Sequence, residues 1–147
     1  MGALTLPSGG SVYIDANAII YSVERIEPYR ELLAPMWQEA RAGRFTRASS
    51  ELVVLETLVK PLREGNARLE MLFRSLFGAA EMDLIPAALA TWDAAARIRA
   101  TTGLTTSDAL HAATALSAGC ALLITNDTDF RRVQGLPVAI LDDLIEA

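Results

Sequence analysis

Short apolar runs that alternate with helix-like segments are the feature that most restricts the fold of this chain. Runs rich in β-branched and aromatic residues predict strands at residues 12–14, 45–48, 82–85, 120–125 and 138–141. Helical patterns occupy most of the intervening chain, at about 17–43 with a break near Pro28, then at 52–62, 66–77, 88–101 and 108–117, with a helical turn at 129–133. Such alternation predicts an α/β domain whose mostly parallel sheet is covered on both faces.

Helix-end signals support these boundaries. Ser49 and Ser50 are predicted to be N-cap residues of the helix at 52–62. Gly103 is a suitable residue just past the helix at 88–101, because glycine readily adopts the left-handed conformation that ends helices.

Size and composition indicate one soluble domain. The chain has 147 residues, of which 52% are hydrophobic, so disorder is not expected. The longest apolar runs, such as residues 120–124, are far too short to span a bilayer. The first residues lack the basic and apolar blocks of a secretion signal. We therefore expect a cytoplasmic protein with no membrane association.

The charge balance is unusual for a protein that binds nucleic acid. The formal net charge is −5 and the isoelectric point about 4.8, whereas nucleic-acid-binding domains are often strongly basic. Twelve of the thirteen basic residues are arginine, the exception being Lys60. Arginine matches phosphate with two parallel hydrogen bonds, but a GC-rich coding sequence is the simpler explanation for the bias.

Two acids lie at or just beyond the carboxyl ends of predicted strands. Asp15 comes after Val-Tyr-Ile, and Asp127 comes after Leu-Leu-Ile-Thr-Asn. Ligands of open α/β sheets bind beyond the carboxyl ends of the strands, so both acids are candidate site residues. A carboxylate at the end of a buried strand also needs a partner that offsets its desolvation. Asp127 could equally be a turn or cap residue, and Asp129 could serve the same site or cap the next turn.

Glu56 is the third candidate, because Leu52 and Val59 place it on a largely apolar helix face. A buried carboxylate there needs a partner, and a metal ion is an efficient one. The alternative is that Glu56 occupies the one wet stripe of that helix. Glu51 has a sufficient structural role, since an acid in the first turn complements the helix dipole.

Asp108 is the fourth candidate, although its position alone is typical of a cap or first-turn acid. His111 follows three residues later and is the one histidine in the chain. Because no second histidine or cysteine completes a zinc set, we interpret His111 as a structural or supporting residue. Carboxylate oxygens suit hard cations such as Mg²⁺ or Mn²⁺. The chain has no phosphate-binding loop of the GxxxxGK[ST] type and no GxGxxG after a strand.

Four segments of the chain together form a family-like pattern. They are residues 12–21 (VYIDANAIIY), Ser50 with Glu56 six residues on, residues 106–113 (TSDALHAA) and residues 122–130 (LLITNDTDF). With these segments the chain resembles PIN-domain nucleases, and most closely the VapC-type toxins of bacterial and archaeal toxin–antitoxin pairs. The segments occur in the family's order and span nearly the whole chain beyond the first ten residues. The ordered set is more specific than any one motif.

The resemblance implies a three-layer α/β/α sandwich with a mostly parallel sheet of about five strands. One PIN-like domain would cover residues 11–147, preceded by an N-terminal extension, residues 1–10. The resemblance also implies a metal-dependent endoribonuclease that cleaves RNA, forms a homodimer and is neutralised by a cognate antitoxin. The acids that would hold Mg²⁺ or Mn²⁺ and carry catalysis are Asp15, Glu56, Asp108 and Asp127. The supporting polar residues would be Asn17, Thr125 and Asn126, with Asp129 as a further acid.

Two other functions are compatible with parts of the pattern. A non-catalytic PIN-like module could bind RNA or protein, although all four acids are present. An Asp-dependent phosphatase of the haloacid-dehalogenase type usually carries a second Asp two residues after its nucleophile. Here Asp15 is followed by Ala16 and Asn17, which argues against that chemistry.

Overall fold

A parallel sheet forms the centre of the molecule in the computed structural model, which describes residues 1–80 and 82–146. Within those ranges the five strands, all parallel and in the order β3-β2-β1-β4-β5, are β1 (Ser11–Ile14), β2 (Thr46–Ser50), β3 (Met82–Ile85), β4 (Leu122–Thr125) and β5 (Val138–Ile140). The helices are α1 (Ala16–Val23), α2 (Tyr29–Arg41), α3 (Leu52–Glu64), α4 (Ala67–Phe77), α5 (Leu89–Thr102), α6 (Thr106–Ser117), α7 (Leu141–Glu146) and a 3₁₀ turn (Thr128–Arg132). The predicted α/β class is confirmed.

Helices cover both faces of the sheet, which gives three layers. Val12, Tyr13 and Ile14 of β1 are fully buried, and successive side chains point to opposite faces. Val12 and Ile14 pack in a core cluster with residues of α1 to α4. Tyr13 packs in a second cluster with residues of α5 and α6. Among the described residues, no helix has the length and apolar composition needed to cross a membrane.

Helix α6 lies buried between α5 and the sheet, and its alanines explain how it fits there. Ala109, Ala112, Ala113 and Ala115 are each at most 1% exposed. Small side chains let the helix backbone come close to its neighbours. This close packing brings His111, which is also buried, under the carboxyl ends of the strands.

Two predicted details are wrong. Ser49 and Ser50 belong to β2, where they pair with Leu84 and Ile85 of β3, so Ser49 is not a helix cap. Ser50 still assists α3 from the strand end, since its Oγ accepts a hydrogen bond from the Leu52 amide at 3.1 Å. The last strand ends at Ile140, after which residues 141–146 form α7, a helix that the sequence pattern did not reveal.

The residues before β1 lie against the domain. Leu4 and Leu6 are half-buried and pack on the core cluster that contains α1 to α4. The Gly2 amide donates to the Leu144 carbonyl of α7 at 2.6 Å. These contacts join residues 1–10 to the α7 side of the domain.

Candidate active site

The crevice at the carboxyl ends of β1 and β4 marks the point where the strand order of the sheet reverses. β1 pairs with β2 on one side and with β4 on the other. Asp15 directly follows β1, and Asp127 lies two residues beyond the end of β4. Open α/β sheets bind their ligands at such a reversal. Both acids therefore lie at the carboxyl ends of the strands, where the sequence pattern predicts them.

Asp15 is held between the ends of these two strands. Its side chain is buried, Oδ1 accepts from the Ala16 amide at 2.8 Å, and Oδ2 accepts from Thr125 Oγ1 at 2.7 Å. Asn17 Nδ2 also donates to Oδ2, at 3.2 Å. Burial raises the pKa of the Asp15 carboxyl, against the opposing influence of the His111 charge and the hydrogen bonds from Thr125 and Ala16.

The three predicted supporting residues belong to one hydrogen-bond network around Asp15. Thr125 Oγ1 donates to Asp15 and accepts from the Asp127 amide at 3.1 Å. Asn17 Oδ1 accepts from the Asn126 amide at 3.1 Å, and the Asn126 side chain in turn accepts from the first turn of α7. Asn17, Thr125 and Asn126 thus fix the backbone that carries the acids. Their part in catalysis stays a prediction.

His111 connects two of the predicted acids. Its Nε2 lies 2.6 Å from Glu56 Oε1 and 3.6 Å from Asp15 Oδ1, while its Nδ1 lies 2.6 Å from the Tyr13 hydroxyl. Burial alone would lower the pKa of His111, but the hydrogen bond to Glu56 and the negative charge of Asp15 outweigh it and raise the pKa. Nε2 carries a proton and donates to Glu56 both in the imidazolium and in the neutral tautomer whose Nδ1 accepts from Tyr13.

The partner of Glu56 is therefore an imidazole in this structure, whereas the sequence suggested a metal ion. Glu56 is half-buried, with a side chain 24% exposed. The interpretation of His111 as a structural or supporting residue agrees with its contacts. The contact of Tyr13 with His111 has no signal in the sequence, because a tyrosine inside an apolar strand looks like any other core residue.

A second group of acids forms a compact cluster. Asp108, Asp127 and Asp129 each present a carboxylate oxygen, and these oxygens lie within 4.8 Å of one another. Asp127 Oδ1 also accepts from the Asp129 amide at 2.9 Å. Asp129 Oδ1 pairs with Arg132 Nη2 at 2.6 Å, so Asp129 shares its charge with that arginine. Asp127 is thus both a cap of the 3₁₀ turn and a member of the cluster.

The pKa of Asp108 reflects its burial beside other acids. Burial raises the pKa of its carboxyl to about 7, together with hydrogen bonding to Asp127 and the negative charges of Asp127 and Asp15. Two adjacent carboxylates do not ionise together easily without a counter-charge, which favours the protonated form of Asp108. The Asp108 backbone amide is held separately, since it donates to Thr105 Oγ1 at 3.2 Å.

The donor set fits a hard divalent cation. Oxygens around one Mg²⁺ lie up to about 4.2 Å apart, because each Mg–O bond is about 2.1 Å long. The three carboxylates of the cluster approach that spacing, and all offer oxygen. Asp15 and Glu56 lie on the His111 side of the crevice and are not members of this compact set. The four predicted acids therefore divide into two pairs, and Asp129 joins one of them.

Fold and site together define a parallel α/β protein with an acidic crevice suited to a cation. The sequence matches the model of the PIN domain family over residues 12–136, most of its length, and the chain belongs to this family. No curated protein matches it at a significant level.

Solved structures with the same fold include toxin–antitoxin proteins. VapBC2 from Rickettsia felis, bound to a promoter DNA fragment, has a TM-score of 0.71 at 16% identity, over 88% of this chain and 98% of that chain. A toxin–antitoxin complex from Klebsiella pneumoniae has a TM-score of 0.64 at 20% identity, covering 88% and 97%. VapBC-5 from Mycobacterium tuberculosis has a TM-score of 0.56 at 21% identity, covering 91% and 98%. At these identities the similarity is one of fold, and the predicted PIN-like sandwich is confirmed.

Replacing Asp108 with Asn should stabilise the metal-free protein at alkaline pH. Burial and the neighbouring acids raise the folded-state pKa of Asp108 to about 7, well above its usual range, so the folded protein binds this proton more tightly than the unfolded chain. Wild-type stability should therefore fall as pH rises from about 4 to about 7. In EDTA at pH 8, Asp108→Asn should raise Tm by ~2–4 °C, the shift that about 1 kcal/mol produces.

The exposed Asp93, on α5, supplies the control, and Asp93→Asn should not raise Tm in this way. Adding Mn²⁺ should raise the Tm of the wild type by more than it raises the Tm of the Asp108→Asn variant. If the Asp108→Asn variant had a lower Tm than the wild type at pH 8 in EDTA, the raised pKa of Asp108 in the folded protein would be contradicted.

The Tyr13–His111 hydrogen bond should appear as coupling in a double-mutant cycle. His111→Leu leaves the buried Tyr13 hydroxyl without this partner, and such an orphaned group costs about 1–3 kcal/mol. Adding Tyr13→Phe should recover part of that loss, giving a coupling of about 1 kcal/mol in urea unfolding. A cycle of His111→Leu with Tyr29→Phe, whose hydroxyl bonds Asp142, should be additive. Additivity in the first cycle would mean that the Tyr13–His111 contact contributes nothing to stability.

Proposed function

We propose that this protein is a metal-dependent endoribonuclease that acts as the toxin of a toxin–antitoxin pair. The observation that carries the proposal is the cluster of Asp108, Asp127 and Asp129 beside Asp15, at the point where the strand order reverses. Membership of the PIN domain family and the toxin–antitoxin proteins among the structures of similar fold support it.

Mg²⁺ or Mn²⁺ would be held by Asp108, Asp127 and Asp129, with Asp15 close enough to contribute charge. When bound, such a cation lowers the pKa of water and stabilises negative charge on a phosphate undergoing hydrolysis. The chain's own part is positional. Thr125 holds both the Asp15 carboxylate and the Asp127 backbone, so one hydroxyl fixes two acids relative to each other.

Glu56 and His111 would act on the other side of the crevice. Glu56 is the more accessible of the two, and its 2.6 Å hydrogen bond to His111 fixes the direction of its carboxylate. A carboxylate held in this way can accept a proton from water or hold an outer water of the cation. Because Asp15 is buried and both its oxygens already accept hydrogen bonds, it is poorly placed to be a phosphatase nucleophile.

Cleavage of RNA by purified protein tests the proposal. With Mn²⁺, the wild type should cut a long single-stranded RNA internally and leave the matching DNA intact. Asp108→Asn, Asp127→Asn and Asp15→Asn should each lower the rate at least about 100-fold. Asp129→Asn should lower it by about 10–100-fold, since Asp129 is partly neutralised by Arg132.

The exposed Asp93→Asn variant, which keeps the cluster intact, should cleave like the wild type. Equal cleavage by wild type and Asp108→Asn would indicate a contaminating nuclease and remove the site assignment. Tight Mn²⁺ binding without cleavage of any RNA would favour the non-catalytic binding module.

A cognate antitoxin and a second copy of the chain are the proposed protein partners. Apolar side chains are exposed on α3, where Leu55 is 64% and Leu62 is 54% exposed, and on α5, where Leu89 is 86% exposed. Sedimentation at micromolar concentration should give about twice the chain mass of 15.8 kDa. Where a small reading frame adjoins the gene, co-expression with its product should give a complex that no longer cleaves RNA. A monomer at every concentration would contradict the homodimer, and unchanged cleavage would contradict the antitoxin.

A further inference from the structure

A cleft with a volume of about 410 Å³ lies near the start of β2, at the end of the strands opposite the acids. Arg47, the second residue of β2, and Arg41, the last residue of α2, both line it, as does Leu76 near the end of α4. Arg47 pairs with Val12, three residues before Asp15, so the cleft lies roughly 10 Å from the acidic crevice along the strand direction.

Positive charge is concentrated in this cleft. Four arginines, Arg25, Arg30, Arg41 and Arg47, are among its ten described lining residues, and none of those ten is acidic. Arg25 and Arg41 are exposed and make no ion pair with any residue that the structure describes. Arg30 pairs with Glu27 at the rim, at 2.5 Å. In a chain with a net charge of −5, Arg25 and Arg41 therefore give this cleft a local positive charge.

The floor of the cleft is rigidly built. Arg47 is 2% exposed, and its guanidinium carbon lies 4.7 Å from the centre of the Trp37 ring. Trp37 Nε1 donates to Ser22 Oγ at 2.7 Å, and Ser22 Oγ donates to the Ala18 carbonyl at 3.0 Å. Trp37 is thus held against α1, and Arg47 packs on its ring, which gives the cleft a fixed floor.

We propose that this arginine cleft binds a phosphate group of an RNA strand whose other part lies at the acidic crevice, an inference that rests on the proposed ribonuclease function. An RNA strand is a polyanion, and the acids at the crevice repel it. Arginine forks bind phosphate through paired hydrogen bonds, so Arg25 and Arg41 would supply the attraction that the crevice lacks.

Charge alone does not distinguish a phosphate from the carboxylates of an acidic peptide, since arginine binds both. The size of the cleft favours the phosphate. Its 410 Å³ suits a group of small-ligand size rather than a stretch of polypeptide, which needs a long apolar groove or a free strand edge. Inorganic phosphate shares the same chemistry and serves as a probe.

The experiment measures binding without cleavage. Trp92→Phe leaves Trp37 as the one tryptophan, so its fluorescence reports on the cleft. In EDTA, single-stranded RNA should change this fluorescence, and inorganic phosphate should compete at high concentration. Arg25→Gln with Arg41→Gln should weaken RNA binding at least about tenfold. The slope of log K against log salt should become shallower by about 1.4, at about 0.7 for each lost phosphate contact on a single strand.

Arg63→Gln, at an exposed arginine on α3 outside the cleft, is the matched control and should bind RNA like its parent. Unaltered thermal melting of the Arg25→Gln, Arg41→Gln protein would show that it folds. Equal RNA affinity in that protein and its parent would overturn the proposal, as would fluorescence that responds to polyglutamate or free phosphate but not to RNA.

The two proposals fail separately. Binding in EDTA does not depend on cleavage, so RNA binding that needs the arginines would stand even if no RNA were cut. Cleavage of RNA with no dependence on Arg25 and Arg41 would overturn the proposal that the arginine cleft binds RNA and would leave the proposed ribonuclease function standing.

Discussion

The burial of the Asp15 carboxylate is the constraint on which the rest of the crevice depends. A charge at the end of the central strand can stay out of water only if hydrogen bonds replace its hydration. Thr125 supplies one of them from the end of β4, and the Ala16 amide supplies another from the start of α1. The hydrogen bonds to this one buried acid therefore connect two strands and a helix. The same Thr125 hydroxyl accepts a hydrogen bond from the Asp127 amide, which connects the acidic cluster to them.

For the binding of a charged ligand, the local distribution of charge on this protein matters more than its net charge. Acids gather where the strands end, and burial, together with the neighbouring carboxylates, raises the pKa of Asp108 to about 7. Four arginines line a cleft near the start of β2. The acidic isoelectric point made a nucleic-acid substrate look improbable, because composition averages these two regions. A polyanion responds to the local field, so a net charge of −5 does not argue against RNA.

Sequence patterns predicted the features that are local and missed those that join distant segments. The end of β1 identified Asp15, and the end of β4 identified Asp127, because strand ends and their polar neighbours are adjacent in the chain. The hydrogen bonds of His111 to Tyr13 and Glu56 join residues 98 and 55 positions apart, and no periodicity encodes such contacts. Ser49 was misassigned for a similar reason. Its place in β2 is decided by pairing with β3, not by its preference for helix ends.

The sequence presents capping and metal binding as alternatives for Asp127 and Asp108, but the cap of α6 is Thr105, and at Asp127 the two roles are compatible. Asp127 caps the 3₁₀ turn with Oδ1, which leaves Oδ2 for a second partner. Asp108 stands in the first turn of α6, where its amide is fixed by Thr105. Because the Asp127 carboxylate itself makes the capping hydrogen bond, its rotation is restricted and less conformational entropy is lost when a cation binds. The local preference that obscures Asp127 in the sequence thus helps to make it a suitable ligand.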